Sequence, residues 1–495
     1  MASILWITLL KVLLALIVWI GARIIYNIYF HPLHSFPGPF LARATRLYSA
    51  YIRAAGLSER KSLQWHNQYG GIVRIAPDEL SFNTGSAWND IYGMKPRDSQ
   101  RLQKDPHFYM GATTPSGEKN MGAAGDKDHS RIRSVLAHAF SDRALHAQES
   151  LIRAHADRLV QRLQDLHGKP TDIVRWMHHH SYDVIAHLCF GQDLDALGSK
   201  DWFPPARAVF EGIREGVTMI EVLRFVPFKA TVLNIFVWAF GKARRESFNA
   251  SVARAMRRLR LAETTSIDFI SFILRAKEST KELTESELTA NVTLLIEAGS
   301  ETTATMLSGC LFYLSLNRTI LEELTHQLRK EFRTYDQLTL QNVAKMKSLT
   351  HVIQESLRIY PPLPATLPRV TPETGAMING VLIPPKTRVG MNAFAAYHST
   401  QNFAHADAFI PQRWDNTDDR FAHDHRHVHQ PFSLGSRGCL GKNLAWAEIR
   451  LTLACLLWSF DVILEAGQEE WHGKQLTWFI WNKDPLYMRF TQRTK

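Results

Sequence analysis

Apolar positions along the chain fall into three textures. From Ile4 to Ile20 they form an almost unbroken run, interrupted by Lys11. From about residue 128 to 350 they recur at the three-to-four spacing that lays one helix face against a core. That spacing predicts helices over 128–139, 148–166, 175–190, 203–216, 241–263, 286–316, 318–332 and 347–359, and a last one from Gly441 to Phe460. Between about 360 and 438 the period is lost and prolines and irregular polar positions take over. Short apolar runs predict strands. Ile72–Ala76 and Leu80–Asn83 flank Pro77-Asp78 as a hairpin, and Asp461–Glu465, Leu476–Trp481 and Leu486–Thr491 close the chain. The pattern is that of a mainly α (α+β) body, helix-dominated with small β-sheets.

The first run, ASILWITLLKVLLALIVWIGARIIYNIYF, is long enough to be a transmembrane helix, which takes about 20 apolar residues. Lys11 costs about 2.5–3.5 kcal/mol at mid-span, which the surrounding Leu, Ile and Val offset. Behind it stand Arg23, Arg43, Arg46, Arg53, Arg60 and Lys61 against one acid, Glu59, which places the body on the cytoplasmic side. The rival reading is a cleaved signal peptide. No basic stretch precedes the run and no A-x-A-like site follows it. His31–Pro39, HPLHSFPGP, cannot continue the helix and reads as a stiff elbow. The organisation is thus a membrane anchor over 1–30, an elbow over 31–39 and one catalytic domain over 40–495.

Composition narrows this further. In 495 residues, 45% hydrophobic and 21% charged, wholesale disorder is excluded. A formal charge of +11 asks for an anionic partner. The four cysteines, Cys189, Cys310, Cys439 and Cys455, exclude CxxC zinc sites and a disulfide scaffold. His178-His179-His180 and the alternating His423, His425, His427 and His429 raise the question of a metal. Consecutive helix residues diverge by about 100°, so solvated polar faces are the favoured reading.

The strongest local signal is Phe432–Gly441, FSLGSRGCLG, which fits F-x-x-G-x-R-x-C-x-G. Average residue usage would produce that match by chance on the order of once in ten thousand chains of this length. Its glycines permit tight turns with N–H groups facing inward, and a helix follows Cys439 at once. Both features predict a lowered thiol pKa. A thiolate here would push electron density onto haem iron, and Phe432 would shield it from water. At these residues the chain resembles the cytochrome P-450 family of haem-thiolate monooxygenases, from about residue 30 to 490. The looser likeness of HPLHSFPGP, Gly71–Phe82 and the tail WFIWNKDPL is to fungal secondary-metabolism members, such as isotrichodermin hydroxylase and benzoate 4-monooxygenase.

Residues 290–316 hold Ala298-Gly-Ser-Glu-Thr-Thr303 inside an apolar helix. By itself the segment could cap a second helix, but apolar periodicity on both sides argues for one continuous element. The resemblance implies that Thr302 hydrogen-bonds bound oxygen and that Glu301 relays protons through water. It also implies a structural triad of Glu355, Arg358 and Arg413, with haem propionates held by Arg437, Arg369, Arg133 and His129, the last standing where the family more often has Trp. Glu211–Arg214 and Glu221–Arg224 repeat the Glu-x-x-Arg spacing and read as surface pairs, worth about 0.2–0.5 kcal/mol each.

The family's substrate pocket would draw on residues near 100–125 and 205–240, the start of the 290–303 helix, Pro362–Leu367 and Phe479. Phe203, Phe210, Phe225, Phe228 and Phe236 suit a terpenoid- or polyketide-like molecule, or equally a core or membrane face. No flavin or nicotinamide fingerprint is present, so the resemblance implies haem b with an axial Cys439 thiolate and electrons from a separate NADPH-dependent reductase. The basic excess then serves membrane lipid and an acidic reductase surface; Arg254, Arg257, Arg258 and Arg260 suit either, or are solvated. Nucleic acid is excluded by the lack of any recognition motif. The expected activity is insertion of one oxygen atom into a C–H or C=C bond at the endoplasmic reticulum membrane. The alternatives are a haem-thiolate isomerase or dehydratase, or a non-catalytic haem-binding protein. An intact Glu301-Thr302 favours oxygen activation.

Overall fold

The computed structural model describes residues 2–95, 101–109, 117–201, 215–216, 218–221, 223–225, 231–232, 235, 242–261, 267–275 and 283–493. The apolar run forms α1 (Ala2–Ile25), extended by a wide turn of helix over Tyr26–Phe30. The stretch Ile4–Phe30 is long and apolar enough to cross a membrane, and its side chains are mostly exposed. After the elbow come α2 (Phe40–Ala44), α3 (Arg46–Ala54) and α4 (Ser58–Tyr69), three helices the periodicity did not predict.

The expected hairpin is β1 (Ile72–Ala76) with β2 (Glu79–Phe82), pairing Ile72 with Phe82. The next elements are α5 (Gly85–Tyr92), β3 (Gln103–Lys104) and α6 (Pro106–Tyr109). Then follow α7 (Asp126–Leu136), α8 (Asp142–Gln164), β4 (Thr171–Asp172) and α9 (Ile173–Phe190). The irregular region contributes β5 (Arg369–Val370), β6 (Ala376–Ile378), β7 (Val381–Ile383) and β8 (Arg388–Met391). Strands β1, β2, β8, β5 and β3 form one sheet in that order, with β2 parallel to β8.

The centre of the core is one helix, Glu285–Leu316, about 48 Å long at 1.5 Å per residue. It starts at a reciprocal capping box: Glu287 N–H donates to Thr284 Oγ1 at 3.1 Å, and Thr284 N–H to the Glu287 carboxylate at 2.9 Å. Apolar on nearly every side, it runs buried through the protein against α9 and the helix Lys242–Arg260. Gly299 permits that approach, because a Cβ there would meet Ile185 Cγ1 at 2.8 Å. The helix is continuous through Ala298–Thr303, so this segment does not cap a second helix.

Helix Lys442–Ser459 follows the cysteine loop and leads into β9 (Phe460–Leu464). The single strand expected over Leu476–Trp481 is instead a hairpin, β10 (Leu476–Trp478) and β11 (Ile480–Asn482). Phe479 turns it with φ +71°. Strand β12 (Tyr487–Gln492) pairs with β9 and β4. The helix expected over 203–216 lies largely outside the described residues, as do Phe203, Phe210, Phe228, Phe236 and the Glu211–Arg214 pair. Phe225 is exposed.

Candidate functional site

The loop Phe432–Gly441 closes on itself. Cys439 N–H donates to the Phe432 carbonyl at 2.8 Å and Gly438 N–H to Gly435 O at 3.1 Å. Gly435 needs its glycine: φ is +69°, and a Cβ would strike Tyr92 O at 2.2 Å. Cys189, Cys310 and Cys455 are buried, whereas Cys439 is exposed. Yet protein encloses Cys439 on enough sides that burial raises its thiol pKa, with the Gly441 N–H, Arg133 and Lys442 pulling the other way. The lowering expected from the helix start is therefore overcome by desolvation in the protein alone. A coordinated metal would remove the proton outright.

A stripe on the central helix is tied to this loop through residues 120–126. Leu294, Ala298 and Thr302 follow one another at four-residue spacing, and Ala298 is exposed within the mostly buried stretch 288–315. Thr302 Oγ1 donates to Ala298 O at 2.7 Å. Residues 120–126 join the two sides: Met121 N–H donates to Asn291 Oδ1 at 2.8 Å, and Arg437 Nη2 to Ala124 O at 3.0 Å.

A cluster of cations stands beside the same loop. Arg437 pairs with Asp126 at 2.7 Å, while its Nη1 is buried without a hydrogen bond. Arg133 Nη1 donates to Gly438 O at 2.7 Å, beside the cysteine. Arg369 on β5 stands opposite Lys104 on β3. His129 is buried, and burial with Arg437, Lys104 and Arg133 lowers its pKa to about 3. Lys104, which no motif announced, is lowered to about 6 by burial, Arg437 and Arg369. Such crowding of like charges, against Asp126 alone, is what a dianionic group would relieve. The exposed, enclosed thiol, the threonine stripe and this cation excess together fit a haem with its propionates.

The structure separates Glu301 from Thr302. Glu301 is buried on another side of the helix. There it accepts from His178 Nε2 at 2.7 Å, from Thr305 Oγ1 at 3.1 Å, and from Lys483 in a short ion pair. Burial alone would raise its pKa; Lys483 and His178 instead hold it near 2. Neither basic residue was visible as functional in the sequence. The histidines 178–180 are not a solvated face. All three are buried in α9, with His180 Nε2 on Thr452 Oγ1 at 3.0 Å. No metal-holding group of three side chains occurs among the described residues.

Glu355, Arg358 and Arg413 meet, fully buried: Arg358 lies 2.8 Å and Arg413 3.0 Å from Glu355 Oε1. Two other charge readings change. Glu221 and Arg224 are a buried pair rather than a surface one, because Arg53 and Asp105 also engage them. Arg258 is buried against Asp268 at 2.8 Å, so this part of the basic stretch is not solvated.

The profile of the family described as Cytochrome P450 matches residues 62–490. The chain is 90% identical, over the full length of both proteins, to a fusicoccadiene 8-ol C-16 hydroxylase of Alternaria brassicicola. It is 48% identical to one of Phomopsis amygdali, over 95% of this chain and 90% of that protein. It is 40% identical to the cytochrome P450 monooxygenase aclL of Aspergillus oryzae, over 97% of each.

Proposed function

The chain belongs to the cytochrome P450 family and is a monooxygenase of fungal secondary metabolism, and from that premise we propose that it hydroxylates fusicoccadiene 8-ol at C-16. The observation that carries this reading is the 90% identity spanning both chains end to end. Haem bound through Cys439 supplies dioxygen activation at the site. Arg437, Arg369, Lys104 and His129 would hold its propionates, and Arg133 orients the cysteine loop through Gly438. Phe432 anchors that loop by its carbonyl. The Thr302 hydroxyl, presented on the accessible stripe, holds and passes a proton at the oxygen-binding face. Glu301 acts from behind: its ionised carboxylate keeps a proton acceptor next to Thr305 and Lys483, one residue from Thr302. Phe108, Phe479 and the Ala298 face give a hydrophobic terpenoid a dry wall.

Residues 1–30 act as a single-pass anchor in the endoplasmic reticulum, residues 31–39 as its elbow, and 40–495 as the cytoplasmic catalytic domain. An NADPH-dependent reductase supplies the electrons. Relatives named hydroxylases and an intact Thr302 both favour oxygen insertion over isomerisation or mere haem carriage. The test is turnover of fusicoccadiene 8-ol by membranes containing the enzyme and a reductase. NADPH-dependent formation of the C-16 alcohol is expected. No conversion by an enzyme with a normal haem-thiolate spectrum would overturn the substrate assignment.

A further inference from the structure

A column of aromatic rings, none of them used by the haem site, stands beside the central helix. On that helix Glu301, Thr305, Gly309 and Tyr313 follow at four-residue spacing, one stripe about 18 Å long at 1.5 Å per residue. Tyr360 lies against the stripe at Gly309, where a Cβ would meet its Cδ1 at 2.2 Å. Trp481 stacks on Tyr360, 5.1 Å between centroids and 14° between planes. The His472 ring stands nearly perpendicular to both, 4.8 Å from Trp481 and 4.7 Å from Tyr360. Tyr313 ends the column, 5.9 Å from His472 and stacked at 5.6 Å on Phe409. Tyr360 and Trp481 are wholly buried, Tyr313 only partly.

The inner end adjoins the candidate site. Phe479, which packs on Phe108, precedes Trp481 by two residues, and Lys483, which binds Glu301, follows it by two. The Lys483 ammonium also donates to the Trp481 carbonyl at 3.4 Å. Burial, with the Glu301 charge adding to it, raises the Tyr360 pKa well above the usual phenol value.

The rings differ in what could take their protons. Trp481 and Trp471 donate Nε1 to the carbonyls of Pro361 and Asp484, 2.8 Å each, and Tyr360 donates to the Gln475 amide oxygen at 2.6 Å. Amide oxygens are not bases near neutral pH. Tyr313 alone of the column faces one: its hydroxyl lies 2.6 Å from His472 Nδ1. Burial, His398 and Arg60 hold His472 well below the usual histidine range, so its ring is neutral and can accept a proton. Burial also raises Tyr313, so at rest the proton stays on the phenol. A phenol that has lost an electron becomes a strong acid, and a positioned imidazole takes its proton even when weakly basic. An oxidising equivalent that enters the column therefore settles on Tyr313.

We infer that the column drains oxidising equivalents from the haem pocket to Tyr313 when hydrogen peroxide reacts there, giving the enzyme a protective thiol peroxidase activity. Tyr313 gives up one electron through Tyr360 and Trp481, and its hydroxyl proton passes to His472 Nδ1, leaving a neutral phenoxyl. A thiol at the surface returns one electron, releasing its own proton, and the proton on His472 goes back to the phenol oxygen. Two such cycles reduce one peroxide with two thiols to two waters and one disulfide. The inference rests on the reading of the site as a haem pocket.

The test uses the full-length ferric enzyme in lipid vesicles, without substrate. It is mixed with peracetic acid, freeze-quenched and read by electron paramagnetic resonance. A tyrosyl radical is expected in the wild type. Tyr313→Phe should lower it about fivefold or more, and His472→Gln, which keeps a hydrogen-bond acceptor but no base, should shorten its lifetime about tenfold. Tyr335→Phe, at a tyrosine bonded to Asp157 outside the column, should leave the signal unchanged. With hydrogen peroxide, glutathione should protect the wild-type Soret band from bleaching, and this protection should be lost in Tyr313→Phe. The reduced carbon monoxide spectrum checks that each variant is folded and loaded. An undiminished radical in a loaded Tyr313→Phe enzyme, an unchanged lifetime in a loaded His472→Gln enzyme, or no tyrosyl radical in a wild type with a thiolate spectrum would overturn the column. A wild-type enzyme without a thiolate carbon monoxide spectrum would instead overturn the haem reading beneath it.

Discussion

Two buried ionic networks, built from the same residue types, behave as opposites. Around Glu355 every donor is used. Arg358 gives Nε and Nη2 to the carboxylate at 2.9 and 2.8 Å. Its remaining N–H groups go to the carbonyls of Tyr397, Ala406 and Ala408 at 2.6–2.9 Å. Arg413 adds 3.0 Å to Glu355 and 2.5 Å to Asp424, and the Ile410 N–H and Trp414 Nε1 also donate to Glu355. Around Arg388 and Arg224, which with Arg53, Glu79, Asp105 and Glu221 close a ring of alternating charge, contacts reach 3.4 Å and three buried nitrogens lack aligned partners. Burial is common to both. Satisfaction is what separates a saturated staple from a loosely held ring.

The largest effect is expected at the staple. Glu355→Gln strands Arg358 and Arg413, fully buried, at a cost of about 3–5 kcal/mol. Haem-loaded protein should fall sharply in yield, read as the carbon monoxide difference spectrum per milligram of membrane protein. Arg224→Met in the ring should lower the melting temperature by less than half as much, because its contacts are already imperfect. If the two variants destabilise equally, the contrast fails.

A third cluster lies between these cases. Glu301 is held ionised by Lys483 and His178, deep in the core. Its pKa, near 2 when folded, lies below the usual carboxylate value. It therefore stabilises the fold above that usual value, and the contribution is lost as pH falls through about 2. Lys483→Met should move this loss to higher pH. It should also divert roughly half or more of the NADPH consumed into peroxide, since the proposed proton delivery runs past this carboxylate. An acid melt and the product-to-peroxide ratio check both; a purely structural lysine would leave the ratio unchanged.

Much of this was legible because its spacing is local. The cysteine loop, the AGSETT turn and Glu355-x-x-Arg358 each fit within one turn or loop. The ring was not: its members stand at 53, 79, 105, 221, 224 and 388, and Glu221–Arg224 alone looks like any surface pair. Lys104 and Lys483 belong to no motif and gain meaning only from β3–β5 pairing and the β10–β11 hairpin. The helical angle between consecutive histidines argued against a shared ion, but the solvated face favoured with it was wrong for residues 178–180. Packing of α9 against the central helix put all three inside. The thiol shift in the protein alone runs opposite to the expectation because a helix start is readable from glycines, whereas desolvation depends on the whole fold.

The smallest effect concerns a buried carboxyl with almost no partner. Glu448 is raised to about 8 by burial, with Ser181 opposing. The folded protein then binds a proton that the unfolded chain releases near the ordinary value. Stability falls as pH rises between the two and levels off above about 8. Glu448→Gln should remove that decline, melting about 1–2 °C above the wild type at pH 8 and no higher at pH 5. Parallel melting curves would show that the carboxyl is ionised and paired instead.

The haem-thiolate assignment itself depends on one atom, the sulfur of Cys439. The direct measurement is the carbon monoxide difference spectrum of the reduced full-length enzyme beside Cys439→Ser. The wild type should give the red-shifted Soret band of a thiolate-bound haem, and the variant should lose it while Cys189→Ser, Cys310→Ser and Cys455→Ser retain it. A red-shifted band persisting in Cys439→Ser would contradict the assignment.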